Sequence, residues 1–219
     1  CHNGRNIAYM VGLTTLARRG GIRSTDATVE AMVAASAPVA GDLVCVSGYS
    51  LVGRTRDPLL AWLESLSDEV LVVLDPGAVF AELEPSLRSR VVALTDVWTG
   101  NAEESEDFGG AKGMGPAAEA VAALLKPGAV AVVRDGDRGC AVRVDGVTTI
   151  VPGFPETPVD TNGAGDTHTG VLLAEVAKGA AWPDACRRAN AAGAIKVTRK
   201  GPTTAPTAAE IDAYLAARP

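Results

Sequence analysis

The chain is short of aromatic side chains, of histidine and of positive charge, and each shortage excludes something. Aromatics make up 4% of the 219 residues, against 47% apolar residues overall, so Ala, Val and Leu must build the core. That composition suits layered helices over buried parallel strands. The two histidines, His2 and His168, and the four cysteines, Cys1, Cys45, Cys140 and Cys186, are scattered and contain no C-x-x-C pair. A structural zinc site is therefore not expected. What remains is isolated buried thiols in a reducing cytoplasm, and a cytoplasmic location is the expectation. Lys plus Arg total 20 against 26 Asp plus Glu, a net charge of −6. A nucleic-acid surface would show a basic excess, so no nucleic-acid partner is expected. Any bound phosphate must be held by local groups, because the overall field repels it. No apolar run approaches the roughly 18 residues of a membrane span, so no membrane partner is expected. No signal-peptide pattern opens the chain. It opens on Cys rather than Met, which points to a fragment.

What is present becomes regular from residue 42. "DLVCVSG", "EVLVVLDPG", "VVALTD" and "AVAVVRDG" read as buried strands. Between them, "DPLLAWLESL" has the apolar spacing of one helix face, and "GPAAEAVAALLKPG" carries Pro near its start and Pro–Gly at its end. Strand alternating with helix predicts right-handed βαβ units and a parallel sheet covered on both faces. "CAVRVDGVTTIVP" differs: two runs joined at Asp145–Gly146 predict a hairpin. Helices are predicted over 165–178, 183–199 and 207–217. Before residue 42 the pattern is ambiguous. "NIAYMVGLTTLARRGG" reads as a helix or as a strand "YMVGLTTL" with a turn, and "TDATVEAMVAASAPVAGD" as a capped helix.

The string "DTNGAGDTHTG", residues 160–170, carries the chemistry. Gly163, Ala164 and Gly165 leave the backbone N–H groups of a turn unshielded, and at a helix start those groups have no internal partner. Together with the helix dipole they form a pocket for a phosphoryl group. An aspartate there is out of place unless it removes a proton from an incoming hydroxyl, so Asp166 is the candidate general base. A helix start with a stabilising first-turn acid is the bland alternative. A dinucleotide fingerprint would need Gly at 168, where this chain has His.

The full string D-T-x-G-A-G-D resembles the second signature of the ribokinase-like, PfkB-type sugar kinases. "DVWTGNAEESEDF" is similar to that family's strand-end N-x-x-E element, through Asn101 and Glu104, and "VVRDGDRGC" to its nucleotide loop, through Gly136 and Gly139. "RRANAAGAIKVTRKGPTTAPTAAEIDAYL" resembles its C-terminal helix pair and adenine-side loop. The resemblance covers about residues 40–219. It implies a three-layer α/β/α sandwich with a mostly parallel sheet, incomplete on the N-terminal side. It also implies that Asp166 is the base, that Gly163, Ala164 and Gly165 form the anion hole, and that Asn101 reaches the nucleotide phosphates. Glu104 would order water around Mg²⁺, Asn190 would contact adenine, and Asp160, Asn162 and Gly201 would correspond to the monovalent-cation site, K⁺ for example, of some members. Taken alone, Asn101–Glu104 reads as a helix cap, Gly136 and Gly139 as an ordinary turn, and Asn190 as a packed helix residue. His168 either tunes Asp166 or packs near the helix start.

Residues 1–41 stand where such kinases have a larger portion with a β-strand lid and a sugar-holding G-G-x-x-x-N element, which "NGRNIAYM" matches poorly. The expected division is thus a remnant over 1–41 and a nucleotide-binding and catalytic core over 42–219. The resemblance implies an ATP-dependent kinase acting on a sugar or small alcohol. A truncated, inactive nucleotide-binding domain and, more distantly, a nicotinamide-dependent oxidoreductase are the alternatives. An open sheet edge would make the chain self-associate.

Overall fold

The computed structural model describes residues 7–9 and 38–218. Among the described residues seven strands form one sheet in the order β1-β2-β3-β4-β5-β6-β7, so strands next to one another in sequence are next to one another in space. They are β1 (Ile7–Tyr9), β2 (Leu43–Ser47), β3 (Leu71–Asp75), β4 (Val97–Asn101), β5 (Val130–Arg134), β6 (Gly139–Val144) and β7 (Val147–Pro152). β1 to β5 pair in parallel, and β6 and β7 are antiparallel. The hairpin between them turns at Asp145 and Gly146, with φ of 50° and 77°, as the Asp–Gly pair predicts. Ile7 to Tyr9 join the sheet beside Leu43 to Cys45. The remainder of the two ambiguous N-terminal segments, up to residue 37, lies outside the described residues.

Strands β2 to β6 are largely buried on both faces, and the period of two distributes their side chains. Val44, Val46, Val72, Leu74, Trp98, Ala131 and Val133 point into one core. Helices α1 (Arg56–Glu64), α2 (Pro85–Leu94) and α4 (Met114–Leu124) cover it. Leu43, Cys45, Val73, Val97, Val130 and Val132 point into the other, under α5 (Ala164–Ala177) and α6 (Trp182–Val197). α3 (Ala102–Gly109) follows β4 directly, and α7 (Ala208–Ala216) packs on α6 through Ile211. Among the described residues no helix is long and apolar enough to cross a membrane.

One expected strand is wrong. "VVALTD", residues 91–96, is not a strand: Val91 to Leu94 are the last turn of α2, and the strand is the next segment, Val97–Asn101. Pro85 starts the helix. Thr95 ends it, its hydroxyl donating to the Val91 carbonyl at 2.8 Å. Asp96 then receives the Val72 N–H at 2.8 Å and enters the sheet register. A four-residue apolar run fits a buried helix end as well as a strand, and the Trp–Thr–Gly that follows disguises the real strand.

Candidate active site

Three adjacent parallel strands end in polar residues: Asp75 closes β3, Asn101 closes β4 and Arg134 closes β5. Asn101 and Arg134 are direct register partners. The carboxyl ends of parallel strands are where open α/β sheets present their ligand crevice. Here they open into a cavity of about 550 Å³ whose wall also includes Glu104, Gly136, Gly139, Ala164, Gly165, Asp166 and Asn190. The fold thus gathers eight sequence-proposed residues around one space. Gly163 lies immediately behind Ala164, and Asp160, Asn162 and Gly201 form a layer behind that.

Gly163 is the N-cap of α5 in the left-handed conformation (φ 79°, ψ 7°), and no side chain caps the helix. Ala164 N–H turns back to the Thr161 carbonyl at 3.1 Å. The N–H groups of Gly165 and Asp166, second and third in the helix, have no intrahelical acceptor. Gly163 leaves no room for a side chain, and at Gly165 one would displace the end of the Arg134 side chain. A Cβ on Gly163 would be strained by its φ and would sit 2.6 Å from the Pro202 carbonyl oxygen; a Cβ on Gly165 would sit 2.7 Å from Arg134 Nη1.

That close approach shows where the Arg134 guanidinium lies: against the Gly163–Gly165 turn. It donates to the Thr99 carbonyl at 3.0 Å and to Thr169 Oγ1 at 3.3 Å, and it reaches Asp75 Oδ1 at 3.4 Å. Thr169 Oγ1 in turn donates to Asp75 Oδ2 at 3.0 Å. Burial pushes the Asp166 carboxyl above the ordinary carboxylate range, the negative charge of Asp75 adds to this, and Arg134 opposes both. Asp166 therefore holds a proton more tightly than a surface aspartate, which suits a base. His168 contributes nothing to that shift.

Asn101 and Glu104 form a complete capping box on α3. Asn101 Oδ1 accepts the Glu104 N–H at 2.8 Å, and Glu104 Oε2 accepts the Asn101 N–H at 2.9 Å. The box orients Asn101 Nδ2 and Glu104 Oε1 without consuming them, so cap and ligand site are compatible. Burial is the main cause holding the Glu104 carboxyl above its usual range. The helix start is held down by Trp98, whose Nε1 donates to Ser105 Oγ at 3.0 Å and whose ring stacks on Phe108 at 4.8 Å.

Asn190 lines the cavity, but its amide is fully committed. Nδ2 donates to the Val151 and Pro152 carbonyls, both at 3.1 Å. That leaves Oδ1 to accept from His168 Nε2 at 3.0 Å. His168 is itself buried, so it packs α5 against α6. Asp160 Oδ1 accepts the Asn162 N–H at 3.0 Å and Oδ2 the Gly201 N–H at 2.8 Å. These two bonds hold its carboxyl below the ordinary range.

Asp75 and Arg134 are the site residues that sequence reasoning missed. Each is the polar last residue of an apolar run, followed by Pro–Gly or Asp–Gly. Strand-end position was the available signal.

The profile of the pfkB family carbohydrate kinases matches residues 21–209. The chain belongs to this family. A curated relative, the uncharacterized sugar kinase YegV of Escherichia coli K12, is 32% identical over 176 residues, covering 78% of this chain and 54% of its own length. Fructokinase of Vibrio alginolyticus is 29% identical, with 60% of this chain and 49% of the relative covered. Among solved structures, fructokinase of Vibrio cholerae O395 with fructose, ADP and calcium bound superposes with a TM-score of 0.69 at 28% identity, covering 80% of this chain and 61% of that one. A double mutant of the same enzyme with fructose, ADP and potassium bound gives 0.70 at 27% identity, covering 80% and 60%. The fold is ribokinase-like, and the chain spans about half to three-fifths of the length of these family members.

Proposed function

We propose that this chain carries the phosphoryl-transfer core of an ATP-dependent kinase acting on a hydroxyl of a sugar or related small alcohol. One observation carries the reading. The Asp166 carboxylate stands beside uncapped helix N–H groups in the same cavity as Arg134, Asn101 and Glu104.

The acceptor hydroxyl gives its proton to Asp166 as its oxygen attacks the γ-phosphorus in line with the departing diphosphate. Charge developing on the phosphoryl oxygens falls to the N–H groups of Gly165 and Asp166 and to the Arg134 guanidinium, all fixed before the reaction begins. On this reading Asn101 Nδ2 donates to a nucleotide phosphate, and Gly136 and Gly139 supply a side-chain-free wall for the ribose. Among the described residues no group of three or more His, Cys, Asp or Glu could hold a metal. Mg²⁺ needs no such group, since it keeps several waters and binds through one or two carboxylates plus substrate phosphates. Glu104, desolvated and with one oxygen free of the cap, fits that demand. Mg²⁺, when bound, supplies neutralisation of the phosphate charge. The described cysteines, Cys45, Cys140 and Cys186, are free and buried, which supports a cytoplasmic enzyme.

The test is an ADP-release assay with Mg–ATP over hexoses, pentoses and nucleosides, fructose and ribose first, beside calorimetric titration with Mg–ATP and with NAD. Turnover of at least one acceptor and binding of ATP but not NAD are expected. ATP binding with no turnover would reduce the chain to a nucleotide-binding domain, and NAD binding without ATP binding would overturn the reading altogether.

A further inference from the structure

Lys196, in the last turn of α6, is fully buried. Its Nζ donates to the Asp160 carbonyl at 2.9 Å and the Arg199 carbonyl at 3.4 Å. A buried charge needs compensation, and these contacts are to neutral backbone oxygens. A cation held by carbonyl oxygens beside one carboxylate is the chemistry of a monovalent metal site, and it is built from the same segments, 160–162 and 199–201, that the resemblance assigned to a monovalent ion. The residues present do not fit that ion, because the lysine nitrogen already holds its oxygens. We propose that Lys196 is a tethered monovalent cation and that this chain orders its anion hole without K⁺.

The path from Lys196 to the site is short. Nζ joins residue 160 to residue 199. The Asp160 carboxylate joins the same two segments again through the Asn162 and Gly201 N–H groups. Val159 and Asp160 N–H groups add bonds to the Val197 carbonyl at 2.7 and 3.0 Å. The loop so fixed puts the Pro202 carbonyl against Gly163, where a single added Cβ would collide with it. Gly163 is the N-cap that aims the Gly165 and Asp166 N–H groups. Lys196 is therefore a positioning residue, one side chain removed from the phosphate pocket. The potassium-bound fructokinase double mutant of Vibrio cholerae provides the contrast within the family.

This inference rests on the nucleotide reading above, but it can be tested without turnover. Thermal melting and Mg–ADP titration are run for the wild type, Lys196→Ala and Lys196→Met in K⁺, Na⁺ and tetramethylammonium chloride at equal ionic strength. The wild type is expected to show the same melting temperature and ADP affinity in all three salts. Lys196→Ala, which opens space among the carbonyls, is expected to melt lower and to recover selectively in K⁺. Lys196→Met, which fills the space without charge, is expected to melt lower with no K⁺ recovery. Thallium-soaked wild-type crystals are expected to give no anomalous peak at the Asp160 and Arg199 carbonyls. A K⁺-specific rise in wild-type stability, a thallium peak there, or a folded Lys196→Ala variant blind to K⁺ would each overturn the proposal. Should both variants fail to fold, the wild-type salt series and the thallium map decide. Failure of the kinase reading is a separate result, an absence of ADP and ATP binding in every salt.

Discussion

Replacing Asp166 by Asn separates the chemistry of the site from its shape. The amide is nearly isosteric and stays in the first turn of α5, so the helix and the N–H groups of Gly165 and Asp166 should not move. It cannot accept the acceptor's proton. A positioned base contributes roughly 10²–10⁴-fold in rate, about 3–5 kcal/mol of barrier at 1.36 kcal/mol per decade. Nucleotide affinity should hold or tighten slightly, because a negative charge beside the phosphates is removed. Stability should move in the opposite sense to activity. Burial first, then Asp75, raises the Asp166 carboxyl from 3.8 in the folded chain. A group raised on folding contributes stability below its unfolded value, and that contribution is lost as pH rises through the folded value. At pH 7 the ionised Asp166 is thus a liability, offset by roughly 0.3–1 kcal/mol from the helix N-terminus. Asp166→Asn should melt higher than the wild type at pH 7, and the gain should shrink as pH falls towards 4. ADP release, calorimetry and melting curves at several pH values read the three effects separately. A loss of turnover below about tenfold, roughly 1.4 kcal/mol, would remove the base role. A lower melting temperature at pH 7 would refute the account of its environment.

Three further substitutions probe the rest of the cavity. Arg134→Gln removes a charged donor worth about 1.5–3 kcal/mol, so kcat/KM should fall ten- to a hundredfold with little change in fold; unaltered kinetics would take Arg134 out of the phosphoryl pocket. Glu104→Gln can keep the cap on α3, because Gln serves in capping boxes too, and should raise the Mg²⁺ concentration for half-maximal rate about tenfold with a pH 7 melting temperature no lower than the wild type's, since burial also raises the Glu104 carboxyl; an unshifted Mg²⁺ curve would deny Glu104 its role. Asn190→Ala strands the buried His168 Nε2 and removes the tie from α6 to the Val151 and Pro152 carbonyls, at about 1–3 kcal/mol for a buried group left unpaired. Its melting temperature should drop while Mg–ATP affinity stays the same, and the reverse pattern would make Asn190 an adenine contact.

Much of this fold was legible because its central strands, β2 to β5, are buried on both faces. Runs such as "VLVVLD" and "VAVVR" admit few other readings once helices alternate with them. The hairpin announced itself by Asp145–Gly146, and α5 by the glycines before it. What failed was the boundary between α2 and β4, where Val91–Leu94 and Val97–Thr99 are equally apolar and only the Thr95 cap and the Asp96 bridge separate them. In the site, local motifs found Asp166, Asn101 and Glu104, because each lies in a string whose own backbone builds its environment. Asp75 and Arg134 act through partners 59 positions away, and no local pattern contains that pairing. Lys196 shows the same limit: a lysine near a helix end reads as solvated until the fold closes two loops over it.

The charge of the cavity unites these parts. Its wall carries five carboxylates, Asp75, Asp137, Glu104, Glu156 and Asp166, against one guanidinium, Arg134. A polyphosphate entering such a space alone meets net repulsion at short range, on top of a chain charge of −6. Among the described residues that line it, attraction comes from two built-in sources, the uncapped start of α5 and Arg134, and both converge on the Gly165 turn. On the proposed kinase reading, the phosphoryl to be transferred is the group these two sources would hold, next to Asp166. On that reading the remaining phosphates would depend on Mg²⁺ held at Glu104, with Asn101 adding a neutral donor. The expected outcome is that calorimetry gives tighter binding of Mg–ATP than of metal-free ATP or of a free phosphate ester, and equal affinity with and without Mg²⁺ would refute this use of the cavity's charge.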